Sequence, residues 1–167
     1  MKYLAIENQL FIKNRTLFFS KITANCMAVF NSNDIMPTNA DGTMPFKQNN
    51  DLFWLTGVDQ EESILIIYPD NPNKEEREIL FLKETSELIA IWEGAKLSKS
   101  EAFTTSGIKS VYWLNEFDNK LNDLMQKCDG VYLNENIHSR AASKVETRDD
   151  RFRNMMLINS PEKRLNT

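Results

Sequence analysis

The chain is poor in the residues on which most recognisable enzyme chemistry depends. Among its 167 residues there is one histidine, His138, and there are two cysteines, Cys26 and Cys128. A single imidazole excludes HExxH zinc chemistry and any multi-histidine metal centre, and His138 reads as a surface-loop residue. Two thiols are too few for a disulfide framework or a four-ligand zinc site, and both fall in or beside regular elements, where buried and inert thiols are usual. A reducing cytoplasm is the simplest setting. The five glycines, Gly42, Gly57, Gly94, Gly107 and Gly130, stand singly. They build neither a Gly-x-Gly-x-x-Gly turn nor a phosphate loop, and no Gly-x-Ser-x-Gly elbow exists to raise a nucleophile.

Positive charge is also in deficit. Lys and Arg total 20 against 24 for Asp and Glu, a net charge of −4, so no global field attracts a phosphate backbone and nucleic acid is not expected as a partner. Long hydrophobic runs are missing too. Ile64 to Tyr68 is among the longest, far below the ~20 residues that cross a bilayer, and Glu7, Asn8 and Gln9 interrupt what would be the apolar core of a signal peptide. A soluble, unexported protein with no membrane partner is expected. Its apolar share, 41%, suits one globular domain.

What is present is a regular alternation of elements. Residues 7–22 place Leu10, Phe11, Leu17, Phe18 and Ile22 on an approximate helical stripe. Residues 26–30 form a short apolar run between asparagine-rich turns and read as a buried strand. A loop with Pro37, Asp41, Gly42 and Pro45 follows. Residues 50–55 predict a short helix with Phe53, Trp54 and Leu55 turned inward and Gly57 at the C-cap. Strands are expected over 63–68 and 78–82, paired across a Pro- and Asn-rich turn, with Phe53, Leu55, Ile64, Ile66, Leu80 and Leu82 in the core. A helix over 99–106 ending at Gly107, a strand over 110–114, a helix over 116–126 and a strand over 131–133 complete an α/β sandwich. Residues 136–153 read as surface loop or exposed helix. Ser160-Pro161-Glu162 reads as a helix start, with Ser as N-cap and Pro at the first helical position. That helix would have little length before Thr167, which implies a natural chain continuing past it.

The acidic pairs Glu61-Glu62, Glu75-Glu76 and Asp149-Asp150 read as solvated charge in turns, without the apolar framing that perturbs a carboxyl. Two segments stand out from this scaffold. One fuses a polar cluster, Gln48-Asn49-Asn50-Asp51, to the aromatic run Phe53-Trp54 and ends in Leu55-Thr56-Gly57; its amides and carboxylate are suited to capping the adjoining helix. The other is Ile91-Trp92-Glu93-Gly94, where Trp92 is either core or an apolar wall shown to a ligand or partner.

Phe46-x-Gln48-Asn49-x-Asp51-x-x-x-Leu55-Thr56-Gly57, then Glu78-Ile79-Leu80-Phe81-Leu82, Ile91-Trp92-Glu93-Gly94 and Ser106-Gly107-Ile108 together resemble the N-terminal domain of the aminopeptidase P family of Xaa-Pro aminopeptidases, the creatinase/prolidase-type N-terminal domain. The tail, Asn154 to Glu162, is similar to the family's linker. The resemblance implies a ribonuclease-H-like α/β fold, a mixed β-sheet flanked by helices, over 1–157, with 158–167 as the linker and the start of a catalytic domain not contained in this sequence. That domain would hold two divalent metals, manganese by preference, on two Asp, one His and two Glu, none of them assignable here. It would remove the N-terminal residue from peptides with proline in second position.

For the stretch in hand the resemblance implies no cofactor, no catalytic or metal-ligating residue and no activity alone. Its partners would be its own catalytic domain and further copies of itself in a homodimer or homotetramer. Trp92 would line the substrate pocket of a neighbouring subunit, and Asp41 would approach the same pocket. Lys47 stands where many relatives carry Arg and lacks the planar fork for bidentate binding. Two other readings remain open, a stand-alone interaction module of the same fold and the N-terminal domain of a prolidase.

Overall fold

A computed structural model describes residues 6–86, 88, 90–91, 94–136, 138 and 146–166. The central element is a six-stranded sheet, and its strands are β1 (Cys26–Asn31), β2 (Ile64–Ile67), β3 (Glu78–Leu82), β4 (Ser110–Trp113), β5 (Gly130–Leu133) and β6 (Arg164–Asn166). In space they lie in the order β4-β3-β2-β1-β5-β6. β2 pairs antiparallel with both β1 and β3, whereas β3/β4, β1/β5 and β5/β6 are parallel. Five strands therefore run one way and β2 alone runs against them. β2, Ile-Leu-Ile-Ile, is buried at every position, as a central strand covered on both faces must be.

The period of two along each strand divides the core. Val29, Ile66, Ile79 and Leu133 share one face with Phe117, Leu121 and Leu124 of α4 (Phe117–Met125) and with Phe152 and Met156 of α5 (Arg148–Asn159). Leu65, Ile67, Leu80 and Leu82 share the other with Leu52 and Leu55 of α2 (Asn50–Thr56) and Ala102 of α3 (Lys99–Ser106). α1 (Asn8–Phe19) lies over α2 and α3. The result is the mixed sheet flanked by helices that the family resemblance implies.

Three expectations need correction. The buried residues of α1 are Phe11, Asn14 and Arg15, at i, i+3 and i+4, while Leu10 and Leu17 are exposed; the apolar stripe misleads because the inward face is built around two polar groups. In α2 it is Leu52 that is buried with Leu55; Phe53 is half-buried edge-on to Phe11, and Trp54 is exposed. The predicted helix start at Ser160 is instead the end of α5, whose capping box is Thr147 with Asp150, and the chain then turns into β6 beside β5. A local Ser-Pro-Glu pattern yields here to an upstream cap and to pairing with the sheet.

α1 explains two of the family-like motifs. Thr56-Gly57-Val58 and Ser106-Gly107-Ile108 have the same wiring: each hydroxyl donates to the carbonyl four residues back, both at 2.7 Å, and accepts the N–H two residues on, both at 3.1 Å. Both glycines are left-handed, at φ 70° and 75°, and a Cβ on them would stand 2.2 Å from Phe11 and 2.6 Å from Ile12. Glycine is needed twice over, for the backbone turn and for the close approach of α1. Arg15, wholly buried, then donates through Nη1 to Leu55 O at 2.7 Å and Ser106 O at 3.0 Å and faces Glu78 at 3.1 Å. One guanidinium thus satisfies the carbonyl ends of two helices, where the macrodipoles favour a cation.

Candidate functional site

The five parallel strands end at one edge, at Asn31, Leu82, Trp113, Leu133 and Asn166, and β2 starts there at Ile64. Binding sites of open α/β sheets gather at such carboxyl edges, because the loops that follow the strands converge there. Here the edge carries residues 32–49, 60–63, 83–86 and 94–98, and the first turn of α5.

The Gln-Asn motif lies at this edge, and its polar groups are committed to the fold. Gln48 is buried; its Nε2 donates to Val58 O at 3.1 Å and Gln60 O at 2.8 Å, and its Oε1 accepts from Asn49 N at 2.8 Å. Asn49 caps α2 by accepting from the N–H groups of Asp51 and Leu52. Asp51 accepts from Asn134 Nδ2 at 3.1 Å. The capping role expected of these amides is what they perform.

Asp41 sits at the tip of an excursion closed by a bridge between Pro37 and Thr43. It is exposed, and among the described residues it takes no hydrogen-bond or ion-pair partner. Ile35, Met36 and Met44 on the same excursion are exposed as well. Trp92 lies outside the described residues, so its expected role is neither placed nor displaced by the structure. His138 is exposed, and both cysteines are buried, with burial pushing the Cys128 thiol up.

The acidic pairs are not the solvated charges that the sequence indicates. In each pair one member is drawn into the structure. Glu61 forms a largely buried ion pair with Lys96, and Glu76 accepts from Tyr112 and Lys120. Asp149 accepts from Asn31 Nδ2 at 2.8 Å. Burial pushes the Asp149 carboxyl up to about 6, against the opposing hydrogen bond from Asn31. Beside it Arg148 touches Ser32 Oγ at 3.4 Å, and burial lowers its pKa despite the nearby charges of Asp34 and Glu62. Arg151 grips both oxygens of Asp34, at 2.9 and 3.0 Å. Asp34, Arg148 and Arg151 border a cleft of about 590 Å³ between the 33–37 loop, Glu61, Glu62 and α5. Sequence reading missed the cleft because its walls come from segments more than 100 residues apart. Such a site can hold and orient charged groups, and no Ser, Thr, Cys or Lys is among the described residues that line it.

The chain matches the family model of the aminopeptidase P N-terminal domain over residues 11–132. It is similar to the Xaa-Pro aminopeptidase of Haemophilus influenzae, with 24% identity over 140 residues, 83% of this chain and 32% of that protein. It is also similar to the Xaa-Pro aminopeptidase of Escherichia coli, with 23% identity over 127 residues, 76% of this chain and 29% of that one. The chain spans about a third of the length of these curated relatives. Among solved structures, an aminopeptidase P from Bacillus anthracis superposes with a TM-score of 0.86 at 19% identity, covering 97% of this chain and 38% of that one. The Pseudomonas aeruginosa aminopeptidase superposes with a TM-score of 0.74 at 19% identity, covering 92% and 32%. At these identities the structural likeness speaks for the fold.

Proposed function

The chain belongs to the family of aminopeptidase P N-terminal domains, and from that premise we propose that it is the non-catalytic N-terminal domain of a cytoplasmic, manganese-dependent Xaa-Pro aminopeptidase. Within a homo-oligomer it fences the active site of a neighbouring subunit and leaves the bond-breaking chemistry to a catalytic domain. The observation that carries this reading is the division of labour at the carboxyl edge. The motif's amides are spent on the fold, whereas Asp41 is presented to solvent without a partner among the described residues, as a group reserved for another surface would be. Trp92, named by the resemblance, supplies a rigid apolar face for a proline ring.

Among the described residues no group of three or more His, Cys, Asp and Glu side chains could hold a metal ion. The reading accordingly places both metals in the catalytic domain and routes no step through them here. No described helix is long and apolar enough to cross a membrane.

The test has two arms. The 167-residue chain with added Mn²⁺ should not hydrolyse Xaa-Pro peptides, and turnover by it would overturn the non-catalytic assignment. In the protein carrying the chain together with a catalytic domain, Trp92→Ala and Asp41→Ala should each lower kcat/KM for such peptides. Cleavage restricted to dipeptides would move the reading to a prolidase. A coding sequence with no catalytic domain downstream would move it to an interaction module.

A further inference from the structure

Directly after Trp92 and Glu93 the chain passes three fixed points. Gly94 is left-handed, at φ 84°, with nothing within 4 Å of the position a Cβ would take, so the backbone direction and not a close neighbour calls for glycine. Lys96 pairs with Glu61, the two side chains being 8% and 13% exposed. The Leu97 N–H donates to Gln60 Oε1 at 2.7 Å. Gln60 is itself pinned, since its carbonyl accepts from Gln48 Nε2 at 2.8 Å and from Ser63 Oγ at 2.9 Å. A buried relay therefore runs from Gln48 through Gln60 to Leu97, joining the Gln-Asn motif to the segment that carries the tryptophan.

We propose that Gln60 and Glu61 are positioning residues, which set where the tryptophan-bearing segment returns to the carboxyl edge and so help to fix Trp92 for the pocket it serves. The proposal rests on the reading of Trp92 given above. Gln60 is 5% exposed, and its Nε2 has no hydrogen-bond partner among the described residues. Buried donors left unpaired are rare and costly. An apolar residue of similar volume would fill this space without that orphan, so packing alone does not account for the glutamine. What its side chain supplies is the acceptor for Leu97. The Glu61–Lys96 pair adds a second tether one residue earlier, where charge and geometry select one register of attachment.

The first measurement is amide exchange in the 167-residue chain. Gln60→Met keeps the volume and removes the acceptor, and the Leu97 amide should then exchange about tenfold faster, the factor of one hydrogen bond, while amides of β2 and β3 keep their protection. A second variant, Glu61→Gln combined with Lys96→Gln, removes the ion pair without stranding a buried charge and should speed exchange at Lys96 and Leu97. In the protein with its catalytic domain, both variants should raise KM for Xaa-Pro peptides with kcat largely kept, and neither should add to the effect of Trp92→Ala. Unchanged exchange at Leu97 overturns the anchor. Faster exchange with unchanged KM, when Trp92→Ala does raise KM, overturns its positioning role and leaves the proposed function standing. If Trp92→Ala itself changes nothing, the role given to Trp92 fails and the positioning role fails with it, while exchange at Leu97 still decides whether the tether exists.

Discussion

The two edges of the sheet are built on different terms. At the amino edge most polar groups meet partners, the buried Nε of Arg15 excepted among the described residues. The Tyr68 hydroxyl, on a residue only 1% exposed, lies as donor between Asn25 Oδ1 and Lys127 O. Asn25 N–H is held by Asp70, Asn71 bonds Glu76 O, and Arg15 closes two helix ends against Glu78. At the carboxyl edge a carboxyl is buried at the expense of its charge, a guanidinium is desolvated, and apolar side chains stand in solvent. Folding rules kept more closely at one end of a sheet than at the other point to the looser end as the one held for function.

The sharpest way to break this comparison is Arg15→Ala. If the amino edge is scaffold, the change strands two helix-end carbonyls and the Glu78 carboxylate, and chemical unfolding should report a loss of about 3–5 kcal/mol. A loss under about 1 kcal/mol would show that edge to be no better braced than the other.

Titration sets one carboxyl at each edge, Asp149 and Glu76, apart by sign. The folded pKa of Asp149, about 6, lies above its ordinary 3.8, so the folded chain holds that proton more tightly than the unfolded one. Its contribution therefore favours folding as pH falls from above 6 toward 4 and is unfavourable above 6. Asp149→Asn should stabilise the chain at neutral pH, by at most about 3 kcal/mol from a shift of roughly two units, and have little effect near pH 4. Glu76 has the opposite sign. Burial pushes it up, but hydrogen bonds from Lys120 and Tyr112 and the charge of Lys120 outweigh that and leave it below its ordinary 4.5. Its stabilisation is present above 4.5 and is lost as pH falls through the lowered value. Unfolding curves of the wild type, Asp149→Asn and Glu76→Gln across this range check both signs, and a destabilised Asp149→Asn at pH 7 would refute the first.

Tyr68→Phe is a smaller probe of the amino edge. It leaves Asn25 Oδ1 and Lys127 O without their donor and should cost about 1–2 kcal/mol. A neutral result in denaturant melts would mean that water replaces the hydroxyl there.

Five strands of the sheet were legible in the sequence because each carries its own evidence, and β6, which follows a misleading Ser-Pro-Glu pattern, was not. The run 64–67 is apolar throughout, as burial on both faces requires, and the helices before Gly57 and Gly107 announce their ends. α5 was not legible. Phe152 and Met156 are its buried anchors, and its capping residue Thr147 gives no sign of what lies beneath. Asp149 looked solvated because nothing local frames it; its partner, Asn31, is 118 residues away. The burial of Arg15 is hidden in the same way, since two helix ends and a glutamate are brought around it only by the fold. Asp41 and Trp92 enter as site residues by resemblance alone, while the relay through Gln60 depends on contacts that appear only once the loops meet.

The smallest expected effect on folding tests the looser edge most directly. Asp41 is exposed, has no partner among the described residues, and lies on an excursion joined to itself by a single bridge. Surface substitutions away from caps, cavities and special backbone positions usually change stability by no more than about 0.5 kcal/mol. Asp41→Ala should therefore leave the unfolding midpoint of the chain nearly unmoved, and any effect on peptide turnover in the assembled protein would have to come from a surface that Asp41 meets outside its own fold. Asp41→Asn divides that effect further: if the neighbouring pocket uses the negative charge, Asn fails as badly as Ala, and if it uses only an acceptor oxygen, Asn restores most of the rate. A loss of more than about 1 kcal/mol in either variant would make the excursion part of the scaffold, and the distinction between the two edges would then stop short of Asp41.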